Sequence, residues 1–386
     1  MEQIKKRSVF YLGGYDPRGA RHYYNLYKKE ALKNNSIDTM QIKVSSRKKE
    51  AKHLISWNIS AKNEQVQTET KYHFLVWDDI FRKTWKKSFF TFLLDILNYL
   101  SFYIFSSVVK RYIKLSASAL QSLWYPFFYL LLTLGIAYGI FAFMQSYLFQ
   151  HLHPLFYYSS LILVIFLWLQ LSMKISHKVA VLWLFKALGF YSRYITKEDP
   201  ELTKRTEIFA LEIVKALKNA KKDKVDEILL VSHSAGTIIS IDLLALVLKH
   251  FKTDAPELSR LSVLTVGHFI PLVSFQKEAS AYRKNMQSIT SYPITWLDYT
   301  SAIDNVTFYL ADYFKESDII EDKAQLHYLS PRFHTLYTKA HYAKIRRDIH
   351  MAHFLYLMSP QKQDIYNYFR ITAGHQRLVS FAQGKL

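Results

Sequence analysis

The chain has 386 residues, half of them hydrophobic, and its 51 Lys and Arg residues against 31 Asp and Glu residues give a formal net charge of +20. This length suits one large domain with an insertion or two domains, and the apolar content excludes a disordered or fibrous protein. The absence of cysteine excludes disulfide bonds, a thiolate nucleophile and cysteine-based zinc sites.

The first third of the chain combines β-strand patterns with one helix. Its β-branched and aromatic residues alternate in part with polar ones, which is typical of half-buried strands. The pattern predicts strands at residues 8–12, 40–44, 53–60 and 65–77 and a helix at residues 20–33. The composition changes abruptly after Trp77, Asp78 and Asp79.

Two uncharged apolar runs of 27 and 19 residues follow, at 123–149 and 155–173. Each is long enough to cross the hydrocarbon core of a bilayer as a helix, which takes roughly 20 residues. The connector 150–154 has no Lys or Arg, whereas basic residues flank the outer ends: Lys110, Arg111, Lys114, Lys174, Lys178 and Lys186. The positive-inside rule therefore predicts a transmembrane hairpin with both ends in the cytoplasm. The alternative is a pair of buried helices in a soluble core.

A shorter apolar segment, residues 89–105, precedes the hairpin. It contains Asp95 and Asn98 in its middle, and four basic residues come before it: Arg82, Lys83, Lys86 and Lys87. A mixed segment with a basic flank favours a helix that lies in the membrane interface against anionic headgroups. A third, weaker span is the alternative.

From about residue 195 the pattern of a soluble domain returns. It predicts helices at 203–218, 235–251 and 276–286, strands at 227–231, 262–266, 294–297 and 325–329, and a helical region at 341–369. Strands that alternate with helices indicate an α/β fold with a mostly parallel sheet covered on both faces. We expect one such domain, formed by residues 1–79 and 195–386, with a helical membrane insertion at residues 80–194.

One turn in this region has the pattern of a nucleophile elbow, the strand–turn–helix that carries the catalytic serine of α/β-hydrolases. Ser234 lies between an apolar strand and a long apolar helix, and small residues flank it at Ser232 and Gly236. Such residues let the strand and the helix approach closely, although the first position is usually glycine. The alternative is that Ser234 only caps the helix.

The acid and the histidine of this fold follow the serine in the chain. Asp298 and Asp304 are the candidate acids, and we favour Asp304 because Asp298 is close enough to its strand to serve a structural role. His334 and His353 are the candidate general bases. A metal pair of His350 and His353 lacks a third ligand nearby, so we expect neither a metal nor a cofactor.

An oxyanion hole needs backbone N–H groups from the residue after the nucleophile and from a loop after an earlier strand. Ala235 supplies the first. The loop Gly13, Gly14 and Tyr15, at the end of the first strand, predicts the second, since glycine lets the backbone approach a substrate carbonyl. The Gly13–Gly14 pair matches no phosphate-binding signature.

The chain resembles bacterial membrane-associated α/β-hydrolase-like proteins that begin with a Phe-Tyr-x-x-Gly-Phe/Tyr-Asp-Pro-Arg-Gly motif. That motif spans residues 10–19 here, and the resemblance extends along nearly the whole chain through 77–79, the serine elbow, 296–298 with Asp304, 330–333 and 353–358. It implies an α/β-hydrolase fold at a bacterial inner membrane, with the hydrolase domain in the cytoplasm. His353 belongs to a recurring motif of these proteins, which favours it over His334.

These features together predict a membrane-anchored serine hydrolase that cleaves acyl esters, as lipases and esterases do, through Ser234, His353 and Asp304. The expected partners are a lipid membrane and a small-molecule or lipid ester. Nucleic acid is not expected, because the basic residues cluster around the membrane segments and no recognition motif is present. The alternatives are a non-catalytic membrane scaffold with a hydrolase fold and an acyltransferase with the same triad.

Overall fold

The computed structural model describes residues 3–64, 66–85, 89–148, 154–178, 181–196 and 199–382. One mixed sheet runs through the protein. Its strands are β1 (Lys6–Leu12), β2 (Gln41–Val44), β3 (Lys48–Ala51), β4 (Leu54–Lys62), β5 (Gln67–Leu75), β6 (Glu227–His233), β7 (Leu261–Val266), β8 (Thr295–Tyr299) and β9 (Gln325–Leu329).

The sheet is mostly parallel, as the alternation of strands and helices predicts. Its order is β2-β4-β5-β1-β6-β7-β8-β9, with β3 paired to β4. Six neighbouring strands are parallel: β5, β1, β6, β7, β8 and β9. Strands β2, β3 and β4 form antiparallel pairs at one end of the sheet. Strands from before and after the predicted membrane insertion therefore belong to one sheet, and β1 lies directly beside β6.

Fifteen α-helices accompany the sheet in the described part of the chain. They are α1 (Gly19–Asn34), α2 (Asp78–Trp85), α3 (Phe89–Tyr99), α4 (Val109–Leu115), α5 (Ala117–Phe143), α6 (Pro154–Lys178), α7 (Val181–Ile195), α8 (Pro200–Asn219), α9 (Gly236–Leu248), α10 (Pro271–Ser274), α11 (Ser280–Thr290), α12 (Phe333–Leu336), α13 (Lys339–Ile345), α14 (Ile349–Phe354) and α15 (Tyr368–Ala373).

Each face of the sheet is buried in a separate apolar core. Because side chains alternate along a strand, Val9 and Tyr11 of β1 join one core while Phe10 and Leu12 join the other. The first core packs against α1 and the C-terminal helices, and the second against α8, α9, α11 and part of the insertion. Burial on both faces explains why the central strands are continuous apolar runs in the sequence.

The insertion between β5 and β6 contains two helices long and apolar enough to cross a membrane, at residues 119–147 and 155–176. They form an antiparallel pair, in which the Tyr129 hydroxyl donates to the Ser172 carbonyl oxygen at 2.7 Å and the Gln145 amide donates to Ser160 Oγ at 2.7 Å. Most of their other apolar side chains are exposed, as expected of a surface that faces lipid. Residues 150–153 of the predicted connector, and residue 149 at the end of the first predicted run, lie outside the described residues.

Helix α3, in the segment predicted to lie in the interface, packs against α7. The buried carboxylate of Asp95 forms an ion pair with Arg193, and Gly189 leaves room for Asp95 because a Cβ there would collide with it. The buried charge of Asp95, in the middle of this apolar segment, is thus compensated by an ion pair within the protein. The segment continues to residue 104, and α4 then leaves at an angle of 63°.

The structure differs from the predicted elements in three places. Strand β3 was missed because all of its side chains are exposed and it shows no apolar alternation. The predicted helix 276–286 begins later, at Ser280. The C-terminal region predicted as helical at 341–369 consists of short helices separated by turns, so its apolar residues pack onto the sheet from several directions.

Candidate active site

Ser234 occupies a tight turn between β6 and α9. Its φ is +58°, a left-handed conformation that costs free energy for any residue other than glycine. A Cβ at Gly236 would collide with the Leu12 carbonyl oxygen, so only glycine lets α9 pass this close to β1. The Ser232 hydroxyl, where glycine is usual, is buried and donates to Ser240 Oγ at 3.2 Å. The departure at this position is therefore accommodated within the turn.

The structure brings His353 and Asp304 together. His353 Nδ1 donates to Asp304 Oδ2 at 2.9 Å, and both side chains are buried. This contact assigns the proton to Nδ1, so the neutral ring presents Nε2 as an acceptor. His353 Nε2 is itself buried and has no hydrogen-bond partner among the described residues. Such a ring nitrogen is suited to take a proton from a hydroxyl.

Neighbouring groups hold the His353–Asp304 pair in place. The Phe269 ring stacks on the His353 ring, with centroids 5.4 Å apart and planes 13° apart. Gly267, at a φ of +59°, passes close enough that a Cβ there would lie 3.3 Å from His353 Cε1. The Tyr356 hydroxyl accepts from the Ser301 N–H at 2.9 Å and hydrogen-bonds to Asp304. The imidazole is therefore packed against Phe269 on one face, enclosed at Cε1 by Gly267 and held at Nδ1 by the Asp304 carboxylate.

His233, in the turn beside Ser234, links the turn to the histidine. Burial lowers the pKa of His233 to about 3, so its ring is neutral. Its Nε2 donates to the backbone carbonyl oxygen of His353 at 3.0 Å, and the two rings lie 4.9 Å apart. His233 thus holds the backbone of His353 in place, a contact that no sequence pattern predicts.

For the ester hydrolysis predicted from the sequence, we expect His233→Phe to lower kcat about 10- to 100-fold, because His353 loses its tether and small displacements of a general base are costly. His233→Gln should restore most of the activity, since its amide can donate to the same carbonyl. Steady-state kinetics with thermal melting curves test this. Equal loss in both variants at unchanged stability would contradict a positioning role.

The loop after β1 passes directly over Ser234. A Cβ at Gly14 would lie 2.8 Å from Ser234 Cβ and 3.0 Å from its Oγ, so only glycine fits there. Three hydrogen bonds fix the carbonyl groups of the loop: Trp77 Nε1 to Gly13 at 3.0 Å, Asp16 N to Gly14 at 2.9 Å, and Trp183 Nε1 to Tyr15 at 3.2 Å. On the other side of Ser234, Ala235 lies at the N-terminus of α9, where N–H groups lack intrahelical partners and the helix dipole favours negative charge.

Asp16 and Arg18 form an ion pair at the edge of this loop. Arg18 Nη2 donates to Asp16 Oδ2 at 2.6 Å and Arg18 Nε donates to Asp16 Oδ1 at 2.8 Å. Burial raises the pKa of Asp16, but the hydrogen bonds and charge of Arg18 outweigh it and lower that pKa below its usual value. The guanidinium also lies 4.9 Å over the Phe354 ring. The pair stiffens the loop beside the serine.

A cavity of about 650 Å³ contains Ser234 and His353 in its wall. This size is in the range of small-molecule sites. The residues that line it are Gly14, Tyr15, Asp16, Pro17, Arg18, Tyr23, Gln121, Ser122, Tyr125, Trp183, Leu184, His233, Ser234, Asn305, Val306, Ile349, His350, His353 and Phe354. The candidate nucleophile, base and oxyanion loop thus share one cavity.

The two other candidates lie elsewhere. His334 is exposed on α12 and does not line the cavity. Asp298 lies within β8, where its carboxyl accepts from the Thr265 hydroxyl and faces His268 Nε2 at 3.6 Å. Burial raises the pKa of Asp298 to about 8 and lowers that of His268 to about 3, so both are neutral near pH 7. Asp298 belongs to a buried structural cluster.

We expect stability to depend on pH through Asp298. Its carboxyl keeps a proton up to about pH 8 when folded but releases it near its usual pKa of 3.8 when unfolded, so its contribution is lost as the pH rises between these values. Melting temperatures of wild type and Asp298→Asn at pH 5, 7 and 9 test this. Wild type should fall relative to the variant with rising pH, and parallel curves would contradict it.

Among the described residues, no group of three or more His, Asp or Glu side chains is arranged to hold a metal ion. The contacts missed from the sequence, those of His233, Phe269, Gly267 and Trp183, join segments far apart in the chain. Only His233 carried a local signal, because it lies inside the elbow itself.

Comparison with known proteins finds no relative of this chain. The chain matches no family model, no curated protein and no solved structure. The resemblance to bacterial membrane-associated hydrolase-like proteins therefore stays a prediction from the sequence motifs quoted above.

Proposed function

We propose that the protein is a membrane-anchored serine hydrolase of the α/β-hydrolase type that cleaves acyl esters. The observation that carries this proposal is the histidine: Nδ1 of His353 is held by Asp304 while its buried Nε2, without a described partner, shares a cavity with Ser234. A histidine with only a packing role is not expected to combine a carboxylate partner on one ring nitrogen with an unpartnered, buried acceptor on the other, because buried polar atoms are usually hydrogen-bonded.

The positions along the chain support the same proposal. The oxyanion loop follows β1, Ser234 follows β6, Asp304 follows β8 and His353 follows β9, so all of them come after the carboxyl ends of parallel strands. Ligand sites of open α/β sheets form at this edge. The chain order Ser, Asp, His is that of the α/β-hydrolases.

In the first half of the reaction, Ser234 Oγ attacks the ester carbonyl carbon and its proton passes to His353 Nε2. Asp304 stabilises the imidazolium that forms. The N–H groups of Ala235 and of Gly14 and Tyr15 bind the negative oxygen of the tetrahedral intermediate. The bond to the alcohol then breaks, and the imidazolium gives its proton to the leaving oxygen, so that an alcohol departs and the acyl group stays on Ser234.

In the second half, His353 takes a proton from a water molecule as the water oxygen attacks the acyl carbonyl carbon. The same N–H groups bind the second oxyanion. The bond to Ser234 breaks, and the imidazolium returns a proton to Ser234 Oγ. A carboxylic acid leaves, and the enzyme is restored with no cofactor consumed.

Hydrolysis of soluble short-chain p-nitrophenyl esters by the purified protein in detergent tests this function. Wild type should turn over, and Ser234→Ala should lose at least about 10⁴-fold in kcat. Ser288→Ala, which removes an exposed serine on α11, is the matched control and should keep full activity. No turnover by folded wild type, or equal turnover by Ser234→Ala, would overturn the proposal and favour a non-catalytic scaffold.

A further inference from the structure

The cavity at Ser234 is built partly from a membrane-spanning helix. Gln121, Ser122 and Tyr125 of α5 line it, and the apolar span of that helix begins at Ala119. With a rise of 1.5 Å per residue, Tyr125 lies about 9 Å along the helix from Ala119. This part of a span lies where the polar headgroup region meets the hydrocarbon. The cavity is thus at the depth of the membrane interface.

Two hydrogen bonds fix the catalytic loops at that depth. The Ser122 hydroxyl donates to the carbonyl oxygen of Asn305, the residue after Asp304, at 2.9 Å. Trp183 of α7 donates to the carbonyl oxygen of Tyr15 in the oxyanion loop at 3.2 Å. The membrane insertion therefore contacts both the acid loop and the oxyanion loop, rather than serving only as a distant anchor.

Another part of the cavity wall comes from an exposed basic segment, residues 339–351. Ile349 and His350 line the cavity, yet the Ile349 side chain is 54% exposed and Met351 is 38% exposed. The exposed basic side chains of the segment are Lys339, Lys344, Arg346 and Arg347. Its one acidic residue, Asp348, caps α14 by accepting from the Met351 N–H at 2.9 Å. Exposed apolar residues beside basic ones are typical of a surface that contacts anionic lipid.

The chemistry of a glycerolipid matches this arrangement. Its acyl esters lie at the boundary between headgroup and hydrocarbon, its chains extend into the bilayer, and its headgroup faces water. A lipid in the leaflet would place its chains along α5 and an ester near Ser234. A negative headgroup would then lie toward the basic segment.

Building on the proposed function, we propose that the substrate is an anionic glycerolipid taken directly from the leaflet in which the protein is anchored. The basic segment selects the negative headgroup. Entry occurs in the plane of the membrane, beside the first turns of α5. The lipid therefore reaches Ser234 without first leaving the membrane for water.

Proteoliposomes that contain equal amounts of phosphatidylglycerol and phosphatidylcholine test the headgroup selection. Mass spectrometry of the two lysolipid products gives the ratio of cleavage in one sample. Wild type should favour phosphatidylglycerol by about tenfold or more, since each basic residue near an anionic surface contributes on the order of a fivefold effect. Arg346→Gln with Arg347→Gln should bring the ratio close to one.

Lys28→Gln with Lys29→Gln is the matched control, because both residues are exposed on α1, outside the cavity wall, and their loss removes the same charge. It should keep the wild-type ratio. All three proteins should hydrolyse a soluble short-chain ester equally. Equal cleavage of the two lipids by wild type, or the same loss of preference in the Lys28 and Lys29 control, would overturn headgroup selection.

The route of entry is tested with labelled phosphatidylglycerol placed either in the same vesicles as the protein or in separate vesicles. Hydrolysis should occur only in the first case. Equal hydrolysis in separate vesicles would overturn entry from the leaflet, and so would failure to cleave either lipid while the soluble ester is turned over. Loss of the soluble-ester activity itself would instead count against the proposed function.

Discussion

Replacing His353 by alanine should lower kcat for ester hydrolysis by about 10⁴-fold or more, because the variant lacks the base proposed to take the proton of Ser234. His353 lines the same cavity as Ser234, its Nδ1 is held by Asp304, and its buried Nε2 has no hydrogen-bond partner among the described residues. KM should change little, since the ring contributes chiefly to the transition state. Initial rates over a range of ester concentrations separate the two parameters.

His334→Ala is the control for this experiment. His334 is exposed and lies outside the cavity, so the variant should keep activity within about twofold. Loss of activity in His334→Ala with retention in His353→Ala would show that the base is wrongly assigned. Loss in both, with unchanged melting curves, would mean that neither histidine acts alone.

Asp304→Asn should lower kcat by about 10³- to 10⁴-fold while leaving the fold intact. The asparagine amide donates to Nδ1, which moves the imidazole proton to Nε2, and the ring can then no longer accept the proton of Ser234. The expected loss of kcat is close to that of His353→Ala, because an imidazole ring in the wrong tautomer is nearly as inactive as a missing ring. Steady-state kinetics near pH 7 measure the effect.

Asp298→Asn is the matched control, since it makes the same change at the other candidate acid. Asp298 accepts a hydrogen bond from Thr265 and faces His268, away from the cavity, so Asp298→Asn should remove this residue's part of the pH dependence of stability but keep kcat within severalfold of wild type. If Asp298→Asn loses more activity than Asp304→Asn, the assignment of the acid is incorrect.

The elements of the fold could be predicted where burial leaves a strong pattern. β1, β6 and β7 are buried on both faces, so their apolar runs are continuous, and the spans of α5 and α6 are long runs without charge. The turn at Ser234 was predicted for the same reason, because a buried strand and an apolar helix bracket three small residues. β3 could not be found, since every one of its side chains faces solvent.

Local sequence patterns reduced the candidates for the acid and for the base of Ser234 to two residues each, but they did not decide between the two. Asp298 and Asp304 both come at the end of one strand, and only the fold shows that the first lies within β8 and the second reaches His353. His353 was favoured on a resemblance, not on spacing. The contact between His233 and His353 joins residues 120 positions apart, and no local pattern reports such a contact.

The contacts between the membrane insertion and the cavity also could not be predicted from the sequence. Apolar length predicts that α5 spans a membrane, but it does not predict that the first turns of α5 line the cavity. Nor does it predict that Trp183 reaches the oxyanion loop. Both depend on how the insertion folds back on the sheet, which is decided by packing among residues distant in the chain.

Covalent labelling of the folded wild-type protein with a fluorophosphonate probe tests the central claim most directly, because such probes react only with an activated serine. We expect one adduct per chain, located by peptide mass spectrometry on Ser234. We expect no adduct in Ser234→Ala, a much slower reaction in His353→Ala and normal labelling in Ser288→Ala. A folded wild type that takes no label, or a Ser234→Ala variant that labels as well as wild type, would contradict the claim.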